Sequence, residues 1–360
     1  MFVLFYVGSL FKKCVKREEF FMKKFKKIIL WILGIVASLG LIAYVSVTNH
    51  PQLVVGVIQS FMYQESSPNS YSPLYDPIDG LKENGQYLKS EIAYSKDYPN
   101  SFLDITYPDQ NFEADRPTLF YFHGGGFFGG SKNMVDPLAA SQSTYLIDDI
   151  VSKGYNVVNV DYALVPDHHF PTPVIQMNQA IAYIKEHAEE YHLNMDNVVL
   201  MGSSAGAIMV AQYGSLLANN DYAQLLNVEP SIAKEDVKAL VIDDAPLDYA
   251  KFSLGTKMLV GNYVSETIYL SEEEINAYNP ISHVNKDYPA SFLLGSEYRT
   301  DMVSLNKALK QAGVENELVD PLAEEGLEKP HGFVANLRND PVSAKAFERL
   351  MTFIDDRTKE

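Results

Sequence analysis

The stretch that most restricts what this chain can fold into is the junction at residues 197–218. An apolar run, Asn197-Val-Val-Leu-Met201, enters the pentapeptide Gly202-Ser-Ser-Ala-Gly206, after which small and apolar residues continue to Ala218. Short apolar run, glycine-bounded turn and helix-forming run, in that order, read as strand, sharp turn and helix. Such a turn strains the backbone of its central residue and lifts that side chain off the sheet edge. The flanking glycines carry no Cβ to hold strand and helix apart. In the G-x-S-x-G frame the central residue is Ser204; Ser203 is out of frame, because Met201 stands two positions before it. Three fixed positions recur by chance in many chains, so the pentapeptide takes its meaning from this setting and from what surrounds it.

The rest of the chain repeats the alternation. Strands are expected at 101–107, 118–123, 156–161, 197–202, 237–243, 290–295 and 315–319, and helices at 137–153, 174–191, 204–218, 301–312 and 341–356. That βαβ rhythm predicts an α/β fold around a mostly parallel sheet buried on both faces. Residues 251–286, with Ser271-Glu-Glu-Glu274 and three tyrosines, break the rhythm. Together with residues 54–75 they read either as a cap over the site or as a plain surface excursion.

A second glycine-rich element precedes the serine. Phe120-Tyr-Phe-His-Gly-Gly-Gly-Phe-Phe-Gly-Gly-Ser131 is a strand running into a turn. Acyl transfer builds negative charge on a carbonyl oxygen, and preorganised backbone N–H groups stabilise it best where water is excluded. Consecutive glycines let a backbone approach that close, which assigns donor roles to Gly125 and Gly126, with the Ala205 N–H after the serine as a third. A phosphate-cradling loop is the rival, but no GK[ST] follows, and the GxGxxG spacing with a later acid is absent.

With His123-Gly-Gly-Gly-Phe127, Asp161-Tyr-Ala-Leu-Val-Pro-Asp-His-His-Phe-Pro171, Gly202-Ser-Ser-Ala-Gly206, Ala245-Pro-Leu-Asp248 and His331-Gly-Phe333 in this order, the chain resembles the hormone-sensitive-lipase-like esterases from about Tyr87 to its C-terminus. The resemblance implies an eight-stranded α/β-hydrolase sheet flanked by helices, a small cap, and a Ser, acid, His triad in that chain order. Of the eight histidines, only His331 follows both a nucleophile at 204 and the acid-bearing segment. His123 belongs to the glycine turn, His168 and His169 to the turn after Asp161, His187 and His192 to a helix face, His283 precedes the strand expected to deliver the acid, and His50 adjoins the apolar N-terminal run. The acid departs from the family pattern. After the strand at 290–295 the chain reads Gly295-Ser-Glu-Tyr-Arg-Thr-Asp301, so Glu297 is expected to serve, with Asp301 as the alternative. Two further departures are Ser203, where the family often has Asp, and Ala207, where it often has Gly.

Composition bounds the remaining possibilities. With 47% apolar and 21% charged residues the chain can bury a large core. The single Cys14 rules out an internal disulfide framework and a CxxC pair. Residues 1–48 hold eight of the 29 bases and two of the 46 acids, which leaves 29 − 8 = 21 bases and 46 − 2 = 44 acids beyond them. A region of that charge repels a phosphate backbone, so nucleic acid is excluded as a partner. Residues 28–47 are uncharged, long enough to span a bilayer core, and preceded by Lys12, Lys13, Lys16, Arg17, Lys23, Lys24, Lys26 and Lys27. By the positive-inside rule the N-terminus stays in the cytoplasm. A cleaved signal peptide is the competing reading, and Met22, which opens MKKFKKIILW, is a second possible start.

The expected organisation is a basic cytoplasmic segment at 1–27, a transmembrane anchor at 28–47, a connector and possible cap at 48–80, and an α/β-hydrolase catalytic domain at 81–360. The expected activity is that of a serine carboxylesterase acting on short-chain acyl esters through Ser204, with no metal or organic cofactor and a small-molecule ester as substrate. Phe127, Phe128, Tyr263 and Tyr278 suggest a modest apolar pocket. An amidase or formamidase, a polysaccharide deacetylase and a catalytically silent binding protein are the alternatives on the same scaffold. Oligomeric state is not legible in the sequence.

Overall fold

The computed structural model describes residues 2–63, 67–133 and 145–359, with side-chain surroundings from residue 22 onward. Two compact units form, Met1–His50 and Pro51–Glu360. The first is a single helix, α1 (Phe2–Asn49), whose Met22–Asn49 portion contains an 18-residue stretch of mean hydropathy 2.5 and is long and apolar enough to cross a membrane.

The second unit opens with α2 (Gln52–Tyr63) and then builds one nine-stranded sheet. Its strands are β1 (Asp79–Leu81), β2 (Tyr87–Ala93), β3 (Phe102–Tyr107), β4 (Pro117–Phe122), β5 (Asn156–Val160), β6 (Asn194–Ser203), β7 (Val237–Asp243), β8 (Ser291–Leu294) and β9 (Asn316–Val319). The helices between and after them are α3 (Tyr145–Ser152), α4 (Thr172–Glu186), α5 (Ala205–Ala218), α6 (Asn220–Leu226), α7 (Leu254–Ser265), α8 (Glu272–Tyr278), α9 (Arg299–Ala312), α10 (Pro321–Glu325), α11 (Phe333–Asn336) and α12 (Pro341–Thr358). Strand order is β1-β2-β3-β5-β4-β6-β7-β8-β9, antiparallel from β1 through β3 to β5 and parallel from β5 to β9. Eight strands plus the three-residue edge β1 make the nine. Of the helix expected at 137–153, residues 137–144 lie outside the described residues, and α3 is the remainder.

Period-two alternation divides the core between the two sheet faces. In β4, Phe120 and Phe122 join Val158, Val160, Leu200, Leu240 and Ile242 against α4, α5 and α9. Leu119 and Tyr121 point the other way and join Val157, Val199, Met201, Val241 and Phe292 against α3, α11 and α12. Both faces are dry, as a parallel sheet requires, and each fully buried side chain contributes about 1.5–3 kcal/mol of transfer free energy. The break at 251–286 holds two helices, α7 and α8. Ser271 and Glu274 form a reciprocal cap that starts α8.

β4 lies between β5 and β6, and the connection from β4 runs to β5 while that from β6 runs to β7, so the chain leaves these two neighbouring carboxyl ends in opposite directions. Crevices form at such switch points. The carboxyl ends of β4, β6, β7 and β8 carry the glycine turn, Ser204, Asp244 and the Gly295–Tyr298 turn.

Candidate active site

Ser204 stands between β6 and α5 with φ 54° and ψ −113°, a left-handed backbone that L-residues rarely adopt. Its N–H donates to Asp243 O at 2.9 Å, which holds the elbow to the neighbouring strand. The two motif glycines account for its sharpness. A Cβ on Gly206 would lie 2.0 Å from Phe122 O, and one on Gly202 would lie 2.3 Å from the Gly206 backbone, so no larger residue lets α5 start this close to β4 and β6.

The glycine turn after β4 comes to the same point. A Cβ on Gly124 would sit 3.3 Å from Ser204 Cβ, and Gly125, at φ +105°, folds back so tightly that its carbonyl accepts from Phe128 N and Gly129 N. Gly124 is thus the residue of the turn that lies against Ser203 and Ser204. His123 supports the turn from below. Its Nδ1 lies 2.7 Å from Gly124 O, its ring stacks 4.2 Å from Tyr162, and the Tyr162 hydroxyl donates to His123 O at 2.7 Å.

His331 lies in the loop between α10 and α11. Lys329 pairs with Asp340, the N-cap of α12, at 2.9 Å, and Asn336 Nδ2 donates to His331 O at 3.2 Å. Gly332 brings this loop to the elbow, because a Cβ there would meet Ser203 Oγ at 4.0 Å.

The carboxylate set against His331 is neither of those expected. His331 Nδ1 donates to Asp244 Oδ2 at 2.6 Å. Asp244 is fully buried, has φ 54°, and follows β7 as Ser204 follows β6. Parallel pairing of Ser203 with Asp243 makes the two residues neighbours on adjacent strand ends. The β8 turn, where the family pattern locates an acid, supplies donors instead. Ser296 N and Tyr298 N donate to Asp244 Oδ1 at 2.9 Å each, while Glu297 N at 3.0 Å and Ser296 Oγ at 2.5 Å donate to Oδ2. Burial alone would raise the Asp244 pKa, but the His331 hydrogen bond and charge and the Ser296 donors outweigh it and hold the carboxyl below its ordinary value.

Glu297 itself turns outward with its side chain 59% exposed, its Oε2 3.8 Å from His331 Nδ1. Arg299 pairs with Asp320 at 2.7 Å rather than with Glu297. Asp301 is buried in the first turn of α9, where Oδ1 accepts from Leu247 N at 2.9 Å and Asp248 N at 2.7 Å, so it braces the turn that follows Asp244. A sequence signal for Asp244 does exist: an apolar strand ending in two acids at the catalytic edge. The family pattern directs attention away from it, to the next strand.

Asp243 is also buried, and its side chain accepts from Ser203 Oγ at 3.0 Å. Burial, and then the charge of Asp244, push it up to about 7. Burial alone would lower the His331 pKa, yet the bond to Asp244 and the charges of Asp244, Asp243 and Glu297 raise it above the ordinary imidazole value. The arrangement can therefore orient an imidazole by one buried anion and present its other nitrogen for proton transfer. Phe127, Phe128, Tyr263 and Tyr278 are all buried, with Phe127 stacked on Tyr263 at 3.5 Å between ring centres, so they pack as core rather than as an open apolar pocket. Open space beside the histidine is a cleft of about 690 Å³ with a mixed lining, in which Ser296, Glu297, Arg299 and Lys329 alternate with Pro321, Leu322 and Leu327. Among the described residues no cluster of His, Cys, Asp and Glu is arranged to hold a metal ion.

Sheet order, elbow and glycine turn together define an α/β-hydrolase fold. The BD-FAE family profile matches residues 103–309, more than half of the chain, and the chain belongs to that family. The resemblance to hormone-sensitive-lipase-like α/β-hydrolases read from its motifs stands. An acetyl esterase of Salmonella paratyphi B is 31% identical over 114 residues, 31% of this chain and 32% of that relative, so the match spans about a third of the relative's length. Esterase B of Lactobacillus rhamnosis superposes with a TM-score of 0.64 at 19% identity, covering 78% of this chain and 89% of that one. A truncated carbohydrate esterase from gut microbiota superposes at 0.60 and 15% identity, covering 78% and 100%.

Proposed function

We propose that this chain is a serine carboxylic-ester hydrolase that forms an acyl-enzyme on Ser204. His331 takes the Ser204 proton and passes it to the leaving alkoxide, and Asp244 holds the imidazole in the required tautomer and balances its charge. The Gly125, Gly126 and Ala205 N–H groups receive the developing oxyanion. The observation that carries this reading is the 2.6 Å contact from His331 Nδ1 to a buried carboxylate beside a strained Ser204. Small acyl groups are favoured by the fully packed aromatic set behind the glycine turn. Acetyl esterases among the relatives, and a tributyrin phosphonate bound to esterase B of Lactobacillus rhamnosis, agree with that size.

A fluorophosphonate probe is expected to label the wild type and not Ser204→Ala. Turnover of p-nitrophenyl esters is expected to fall as the acyl chain lengthens from acetate. Absence of labelling in wild type, or equal labelling of both proteins, would sink the proposal. A second reading, removal of acetyl groups from a saccharide, draws support from the hydrogen-bonding side chains of Ser296, Glu297, Arg299, Thr300 and Lys329 in the mixed cleft beside His331 and from the carbohydrate esterase among the structural neighbours. Acetate release from an acetylated xylan, compared with p-nitrophenyl acetate, separates the two. Residues 28–47 are read as an uncleaved anchor that leaves residues 51–360 outside the cytoplasm, supported by the basic flank on one side only.

A further inference from the structure

We infer that α2 is an interfacial helix whose outer face rests in the lipid surface. The inference rests on the reading of residues 28–47 as a membrane span. One face of α2 is pinned to the catalytic unit. Val55 and Gln59 are buried, Gln59 Nε2 donates to Phe128 O at 3.0 Å and Val165 O at 2.6 Å, and Gln52 Oε1 accepts from Asn262 Nδ2 at 2.8 Å. Met62 closes on Gly129, where a Cβ would meet its Cε at 2.5 Å. The helix is therefore attached to the oxyanion turn itself.

The opposite face is apolar and exposed. Leu53 and Val57 are each 55% exposed and Phe61 79%, spaced four apart and so aligned as one stripe. No residue of Gln52–Tyr63 is charged. Such a stripe on a soluble surface marks an interaction site, and the chain itself names the occupant. Four residues, 48–51, separate the span from α2, and fully extended they reach at most about 14 Å. The interfacial zone flanking a bilayer core is of the order of 5–7 Å thick on each side, so α2 begins in or beside it. An uncharged, one-faced apolar helix at that depth buries its stripe among the acyl chains rather than in water.

The test uses the full chain in phosphatidylcholine vesicles, with Cys14→Ser removing the one native thiol and an environment-sensitive fluorophore on Phe61→Cys or Val57→Cys. Glu235→Cys, exposed at the amino end of β7 and so at the opposite end of that strand from Asp244, is the control. The labels at 57 and 61 should shift to the blue and be quenched by nitroxide-bearing acyl chains at a depth of about 5–10 Å, in low and high salt alike, while the label at 235 is not. Labels at 57 and 61 as water-exposed as at 235, in a chain that resists alkaline extraction from the vesicles, would overturn the inference and leave the anchor standing. A dimer cross-linked through the thiol of the Phe61→Cys variant would overturn it in favour of a second copy. Loss of the chain to alkaline extraction would overturn the anchor reading, and the inference with it.

Discussion

Asp244 receives four donors from the β8 turn besides His331, which is enough to keep a wholly buried carboxylate ionised against its desolvation. Glu297, exposed and 3.8 Å away, acts on the same imidazole only through a screened charge. Asp244→Asn should therefore lower kcat/KM by about 10⁴-fold, the scale seen when a triad acid loses its charge. Glu297→Gln should lower it by less than about fivefold, the effect of an exposed pair worth up to ~1 kcal/mol. A pH profile separates the roles. The general base works only when neutral, so activity falls as pH drops through the raised His331 value, and in Asp244→Asn that acid limb should move to lower pH because the main raising partner is gone. Equal losses in the two variants, or an unmoved limb, would reassign the acid. Ser204 and His331 are legible in the sequence because each is marked by immediate neighbours. Asp244 is marked only as one of two acids ending an apolar strand, and what singles it out is the pairing of β6 with β7 and the donors of a turn 52 to 54 residues later.

Among the elements, the glycine turn is fastened to the sheet by a buried charge cluster. Lys132, at the end of the turn, is fully buried, with its Nζ 2.6 Å from Glu91, 3.3 Å from Asp161 and 3.7 Å from Asp104. These acids come from β2, β3 and the end of β5, so one cation ties three strands to the glycine turn. Burial raises Asp104 to about 7 and Asp161 to about 6 even with the ammonium beside them. Lys132→Met should cost about 3–5 kcal/mol in urea unfolding, the expected loss when a buried ion cluster keeps its anions without the cation. The sign of its pH dependence follows. Without Lys132 the folded-state carboxyl values rise further above their unfolded values, so the variant is most stable at low pH and loses stability as pH rises through those values. A deficit that is smaller at pH 8 than at pH 5 would contradict this account. The cluster is invisible in sequence because Glu91, Asp104, Lys132 and Asp161 share no local pattern.

For the whole molecule, positive charge and hydropathy are both concentrated at the start of the chain, with an acidic remainder beyond it. On the anchor reading, protease added to intact spheroplasts should digest residues 51–360, and the chain should stay with membranes after alkaline carbonate. A soluble product with a new N-terminus after residue 47 would instead identify a cleaved signal. The parallel sheet supports either fate equally, since residues Pro51–Glu360 form a compact unit by themselves.

What this sequence determined unaided is whatever neighbouring residues encode. The βαβ rhythm, the strained serine between two glycines, the glycine turn and the apolar N-terminal helix are all set by residues within a few positions of one another, because backbone dihedrals and amphipathic periodicity are local properties. Tertiary structure decided which carboxylate faces His331, that Asp301 braces a turn, that the aromatic set is core, and that α2 keeps an apolar stripe outside. Each depends on strand register and on what is excluded from water, and those are settled only when distant segments share one sheet.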